Sequence, residues 1–143
     1  MLQLVSINSS IRAKLLVALV PLSVLKPHEA VIEDRVRELL EDIKWRGAVL
    51  KPVVADFKTM VILDGHHRVE ALKRLGASYV PALLVDYDSD CVSVSSWRKG
   101  VAVSKEMVRE AGLRGKLLPP KTSRHVLCFE VPEVRIGIEM LVD

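Results

Sequence analysis

The stretch Val61 to Gly76 constrains this chain more than any other, because three apolar residues run into Asp64-Gly65 and then into ten residues closed by a second glycine. Val69, Leu72 and Leu75 recur at three-residue steps, with Arg68, Lys73 and Arg74 elsewhere, which predicts an amphipathic helix stopped at Gly76. A short strand therefore passes into a helix through an Asp-Gly turn. Such a turn aims unpaired backbone N–H groups and the positive helix end at one point, where an anion is stabilised. Gly65 allows close backbone approach, Asp64 is a candidate helix cap, and Arg68 adds a two-pronged donor one turn in. His66 and His67 could donate to phosphate or serve as acid and base. An Asp-capped helix with two surface histidines has the same local sequence, and local chemistry does not separate the two readings.

Around this unit the chain alternates strand-like and helix-like segments. Lys14 to Leu25 is β-like and is stopped by Lys26-Pro27-His28. Its apolar part, Leu15 to Leu25, is too short to span a bilayer, is interrupted by Pro21 and Ser23, and reads as a buried strand. A helix is expected from Glu29 or Ala30 to Gly47, with Val31, Val36, Leu39, Leu40 and Ile43 on its apolar face. Val49 to Asp56 and Thr59 to Leu63 read as strands joined at Phe57-Lys58, Tyr79 to Tyr87 as a buried strand, and Val92 to Ser96 as a strand or edge. Ser104 to Ala111 reads as a helix capped by Ser104 and stopped by Gly112, and Pro119-Pro120 forces an extended entry into Lys121 to His125. Strand and then irregular chain are expected from Val126 to Val142.

The 143 residues include only two Trp, two Tyr and two Phe, so the core must be built from Val, Leu, Ile and Ala. One domain of α/β (α+β) class spanning residues 1–143 is expected. A net charge of +3, with basic and acidic residues interspersed, weighs against bulk nucleic-acid binding and suits one small anionic ligand. Cys91 and Cys128 form no C-x-x-C pair and have no His at metal-ligand spacing. Two isolated thiols suit a reducing cytoplasm, while a disulfide between them stays open.

Ile62-Leu63-Asp64-Gly65-His66-His67-Arg68-Val69-Glu70-Ala71-Leu72 resembles the G-x-x-R-x-x-A signature shared by ParB-type proteins and sulfiredoxins. Val20 to Glu29 is similar to the strand and L-x-P turn that open the ParB-like fold. The resemblance implies a ParB/sulfiredoxin-like mixed sheet with flanking helices. Sulfiredoxins carry a catalytic Cys where this chain has His66, which disfavours thiolate chemistry. ParB partition proteins are similar over the first half alone and normally add a helix-turn-helix domain. The archaeal free-serine kinases are similar over three ordered segments: Lys26 to Glu29, Asp64 to Arg68, and Pro120 to Leu127. Asp86 to Asp90 leading to Trp97 also resembles them. In place of their large insertion this chain has only Lys99 to Pro119.

What this resemblance implies is phosphoryl transfer from ADP or ATP, with Mg²⁺, to the hydroxyl of free L-serine, giving O-phospho-L-serine. Glu29 matches the family's catalytic carboxylate and is the expected general base. Gly65, His66, His67 and Arg68 would hold the donor phosphates, with His66 also among the catalytic groups. Lys121, Thr122, Ser123, Arg124 and His125 would close over them, so that the segment 119–143 completes the site. Asp64 would contact Mg²⁺ or orient Glu29, and Trp97 would line the substrate pocket. Competing readings remain: Glu29 as a carboxylate favourable to the helix dipole, Lys121 to His125 as a solvated loop, and Trp97 as core. Trp45 and Arg46 are read as structural. The alternative function is a ParB-like nucleotide- or DNA-binding module or nuclease without kinase chemistry. Self-association has no visible motif.

Overall fold

The computed structural model describes residues 2–6 and 14–143. Strands β1 (Leu2–Ser6) and β2 (Lys14–Pro21) are followed by helix α1 (Glu33–Arg46), β3 (Ala48–Val49), β4 (Val53–Asp56) and β5 (Ile62–Asp64). Helix α2 (His66–Leu75), β6 (Tyr79–Val85), β7 (Val92–Ser96), α3 (Lys105–Arg114), β8 (Ser123–Leu127) and β9 (Ile136–Gly137) complete the order. The main sheet runs β1-β2-β6-β4-β5; β4 and β6 pair in parallel and the other neighbours antiparallel. This is the expected mixed α/β sheet with flanking helices.

The centre of the sheet is buried on both faces, so β6 and residues Val53 to Ala55 of β4 carry apolar residues without interruption, and β4 ends on the buried Asp56. Because successive side chains alternate, Val53, Ala55, Val80 and Ala82 meet Val36 and Ile43 of α1 and Ala71 and Leu72 of α2. Val54, Leu83 and Val85 face the other way, onto Tyr87, Val92 and Val108 of α3. Two helices thus cover one face, and α3 with the antiparallel β7–β8 pair covers the other. Among the described residues no helix is long and apolar enough to cross a membrane.

Several element boundaries differ from expectation for tertiary reasons. Strand β2 ends at Pro21, and a 3₁₀ turn over Leu22–Val24 replaces its expected last residues. Helix α1 starts at Glu33, because the amides of His28, Ala30 and Ile32 are drawn to His66, Leu118 and His67 instead of forming helix. Its end at Gly47, with φ of 67°, is as expected. Helix α3 runs through Gly112 and stops at Gly115 (φ 68°). Gly112 serves close packing, since a Cβ there would lie 2.8 Å from Val61 Cγ2. Trp45, read as structural, is 84% exposed. Cys91 and Cys128 are joined in a disulfide that extends the β7–β8 ladder, where Cys128 N–H also donates to Cys91 C=O at 2.9 Å. Of the two states the sequence left open for these cysteines, the structure has the disulfide.

Candidate functional site

The Asp64-Gly65 break lies where β5 meets α2. Gly65 adopts φ of 103°, and a Cβ at this position would sit 2.6 Å from Val53 Cγ1, so both conformation and space require glycine. The first intrahelical bond is Val69 N–H to Gly65 C=O at 2.9 Å, which leaves the amides of His66, His67 and Arg68 without helix partners. No acidic side chain stands in that first turn. Asp64 makes no capping bond, contrary to the expected cap, and its exposed carboxylate lies at the rim.

Two segments close over this turn. The loop from Lys26 to Ile32 is joined to β5 by Ile62 N–H donating to Lys26 C=O at 2.9 Å, and to the C-terminal segment by Leu118 N–H donating to His28 C=O at 2.8 Å. After Pro119-Pro120, Lys121 takes φ of 56°, a left-handed conformation uncommon for a side chain of its kind. The amides of Thr122 and Ser123 are thereby aimed at Glu29. They donate to Oε1 and Oε2 at 3.2 Å each, and the Ser123 hydroxyl donates to Oε2 at 2.7 Å. Thr122 is buried, with its own hydroxyl on Pro119 C=O at 2.6 Å. Glu29 lies ahead of α1 and is held by β8, so it is not a first-turn carboxylate of that helix. Its orientation comes from Thr122 and Ser123, in place of the expected Asp64.

A cleft of about 310 Å³ results, lined by Glu29, Asp64, Gly65, His66, His67 and Lys121 among others. Arg35 and Trp97 also line it, and Arg35 is a cation that no motif in the sequence singled out. An adjoining slot of about 420 Å³ shares Asp64, Trp97 and Ser123 with the cleft and adds Phe129 and Val131. A larger groove of about 700 Å³, walled mainly by apolar side chains such as Leu22, Leu25 and Val69, meets the cleft at Glu29 and His66.

The histidines are spent differently from expectation. His66 Nε2 accepts the His28 amide at 3.1 Å, and His67 Nε2 accepts the Ile32 amide at 3.0 Å. A nitrogen that accepts N–H carries a lone pair, so each ring is neutral with its proton on Nδ1. Burial holds His66 well below the usual histidine range and His67 below it. As donors to a ligand, only their Nδ1 atoms remain. Arg68 turns inward, donating to Pro52 C=O at 3.4 Å and backing Gly65, so the expected two-pronged phosphate contact is absent from this geometry.

His125 Nε2 pairs with the Tyr87 hydroxyl at 2.8 Å, and burial pushes the ring down to about 3, which keeps it neutral. It lines the adjoining slot, as does Arg124, whose guanidinium stacks 4.8 Å over Trp97. Trp97 is 59% exposed and is not core. Sequence reasoning missed His28, fully buried beside Glu29; its place in the quoted Lys-Pro-His-Glu turn was the available signal. For a metal, no group of three or more His, Cys, Asp or Glu side chains converges among the described residues. The single carboxylate of Asp64 suits Mg²⁺ held mainly by phosphate oxygens and water.

Residues 6–95 match the ParB N-terminal domain family. A ParB-like protein of Sulfolobus acidocaldarius is 41% identical over 78 residues, covering 54% of this chain and 39% of its own length. An ATP-dependent L-serine kinase of Staphylothermus marinus is 31% identical over 104 residues, covering 67% of this chain and 41% of its own. The chain thus spans about two fifths of these relatives. Structures of a free serine kinase in complex with ADP and with AMP superpose with a TM-score of 0.80 at 20% identity, covering 87% of this chain and 93% of theirs.

Proposed function

The chain belongs to the ParB N-terminal domain family, and from its likeness to L-serine kinases we propose that it is a small-molecule kinase that moves a phosphoryl group from ADP or ATP to the hydroxyl of free L-serine. The observation that carries this reading is the meeting of Glu29 with the α2 N-terminal turn and Lys121 around one cleft. Phosphoryl transfer needs charge neutralisation, in-line placement and a base at the acceptor hydroxyl. The donor phosphates would rest on the amides of His66 and His67, with Lys121 and Arg35 neutralising their charge. The nucleoside would extend into the slot beside Trp97 and Phe129. Asp64 would hold bound Mg²⁺, which would supply neutralisation of the donor's phosphate charge. Glu29 would take the proton of the serine hydroxyl as that oxygen attacks phosphorus.

Incubation with L-serine, Mg²⁺ and either nucleotide should yield O-phosphoserine by mass spectrometry. Its absence with both donors would remove the reading. The likeness to the ParB-like protein supports a second one, a nucleotide- or DNA-binding module without transfer. That reading requires salt-dependent DNA binding or tight nucleotide binding with no phosphorylated product.

A further inference from the structure

His28 has no task in the transfer just described, yet it is wired to the base. A carbonyl oxygen only accepts, so the contact of 2.6 Å between His28 Nδ1 and Ile62 C=O puts a proton on Nδ1. In the neutral ring Nε2 is then a lone-pair acceptor. It lies 2.8 Å from Ser123 Oγ, which is itself 2.7 Å from Glu29 Oε2, whereas Nε2 and Oε2 are 3.6 Å apart. The single hydroxyl proton of Ser123 therefore stands between two acceptors and can satisfy one of them. With Glu29 ionised, the carboxylate holds it, because charge-assisted bonds are the stronger. Once Glu29 carries a proton, the hydroxyl is free to turn to His28, and both acceptors are satisfied.

The surroundings keep this chain of bonds isolated. His28 is fully buried. Its ring faces His66 at 4.5 Å and His125 at 5.8 Å between centroids, both neutral through burial, and among the described residues Glu29 is the one charged group against it. Burial lowers the pKa of His28 itself, while the Ile62 carbonyl and Glu29 oppose that shift.

We propose that His28 is a positioning residue for the transfer step, acting through Ser123, whose hydroxyl switches from Glu29 to His28 as Glu29 takes the acceptor's proton. The inference rests on the kinase reading. In the step the acceptor O–H bond breaks and its proton binds Glu29, the acceptor oxygen forms the new O–P bond, and the donor's terminal P–O bond breaks with its electron pair leaving on the departing AMP or ADP. The Ser123 O–H bond rotates and stays intact, and the proton on Glu29 leaves to water when products depart.

The test uses the full chain with ADP or ATP, Mg²⁺ and L-serine. Ser123→Ala should lower kcat on the order of 100-fold while leaving KM for the nucleotide unchanged, and Ser123→Thr, which keeps the hydroxyl, should restore it. His28→Gln should add no further loss to Ser123→Ala, since the two act through one bond. Should His28→Gln fail to fold, the ¹⁵N resonance of His28 Nε2 decides: in Glu29→Gln, whose uncharged amide stands in for the protonated base, it should move from a free imine nitrogen toward a hydrogen-bonded one. An active wild type with Ser123→Ala at wild-type kcat, or an unmoved resonance, overturns the inference and leaves the kinase reading standing. No transfer by the wild type overturns both.

Discussion

Glu29 accepts three hydrogen bonds from Thr122 and Ser123, partners 93 and 94 positions away, so its direction is set by a strand it does not belong to. Glu29→Gln turns one acceptor into a donor facing those amides and removes the base. Transfer should fall by about 10²–10⁴-fold with nucleotide affinity retained, as steady-state kinetics and calorimetry would show. Gly65 gives a sharper structural test. Gly65→Ala meets both the positive φ and the Val53 side chain, whereas Gly47→Ala has positive φ with open space around its Cβ. Urea denaturation should register a loss of about 1–2 kcal/mol for Gly47→Ala. For Gly65→Ala a further ~1–3 kcal/mol is expected from overpacking, together with weaker nucleotide binding.

At the scale of elements, Gly47 and Gly76 stop their helices where the sequence pattern places them, because a left-handed stop is a requirement of one residue. The start of α1 was misjudged because Ile32 caps it without a side-chain bond while the preceding amides find distant partners. Gly112 was misread for a similar reason, since its neighbour Val61 lies across the sheet. The antiparallel pair β7–β8, which brings Ser123 to Glu29, is joined by the Cys91–Cys128 disulfide over a separation of 37 residues. Reduction should destabilise the chain by about 2–4 kcal/mol, read as a lower melting temperature in dithiothreitol. If this strand pair holds the base, reduction should also lower transfer activity.

The whole molecule should respond to mild acid, because burial depresses His28, His66 and His125 below the ordinary histidine range, His125 to about 3. Below the unfolded value of roughly 6.5 the unfolded chain binds these protons and the folded chain does not, so stability falls with pH. Each such histidine should remove about 1.4 kcal/mol per pH unit through that window, until its folded pKa is reached. Melts between pH 7.5 and 4.5 should show the decline, and a flat profile would mean that the buried rings already accept protons. The strand-turn-helix at Asp64-Gly65 and the buried apolar strand beginning at Tyr79 were legible in the sequence, since each follows from local spacing and backbone freedom, while the mixed sheet was implied by the resemblance to the ParB-like fold. Only the tertiary structure decided that Thr122 and Ser123 orient Glu29, that His66 and His67 are acceptors, that Arg68 turns inward and that the cysteines pair. Those outcomes depend on which groups meet across the fold, and a buried donor or acceptor takes whatever partner the packing brings within reach.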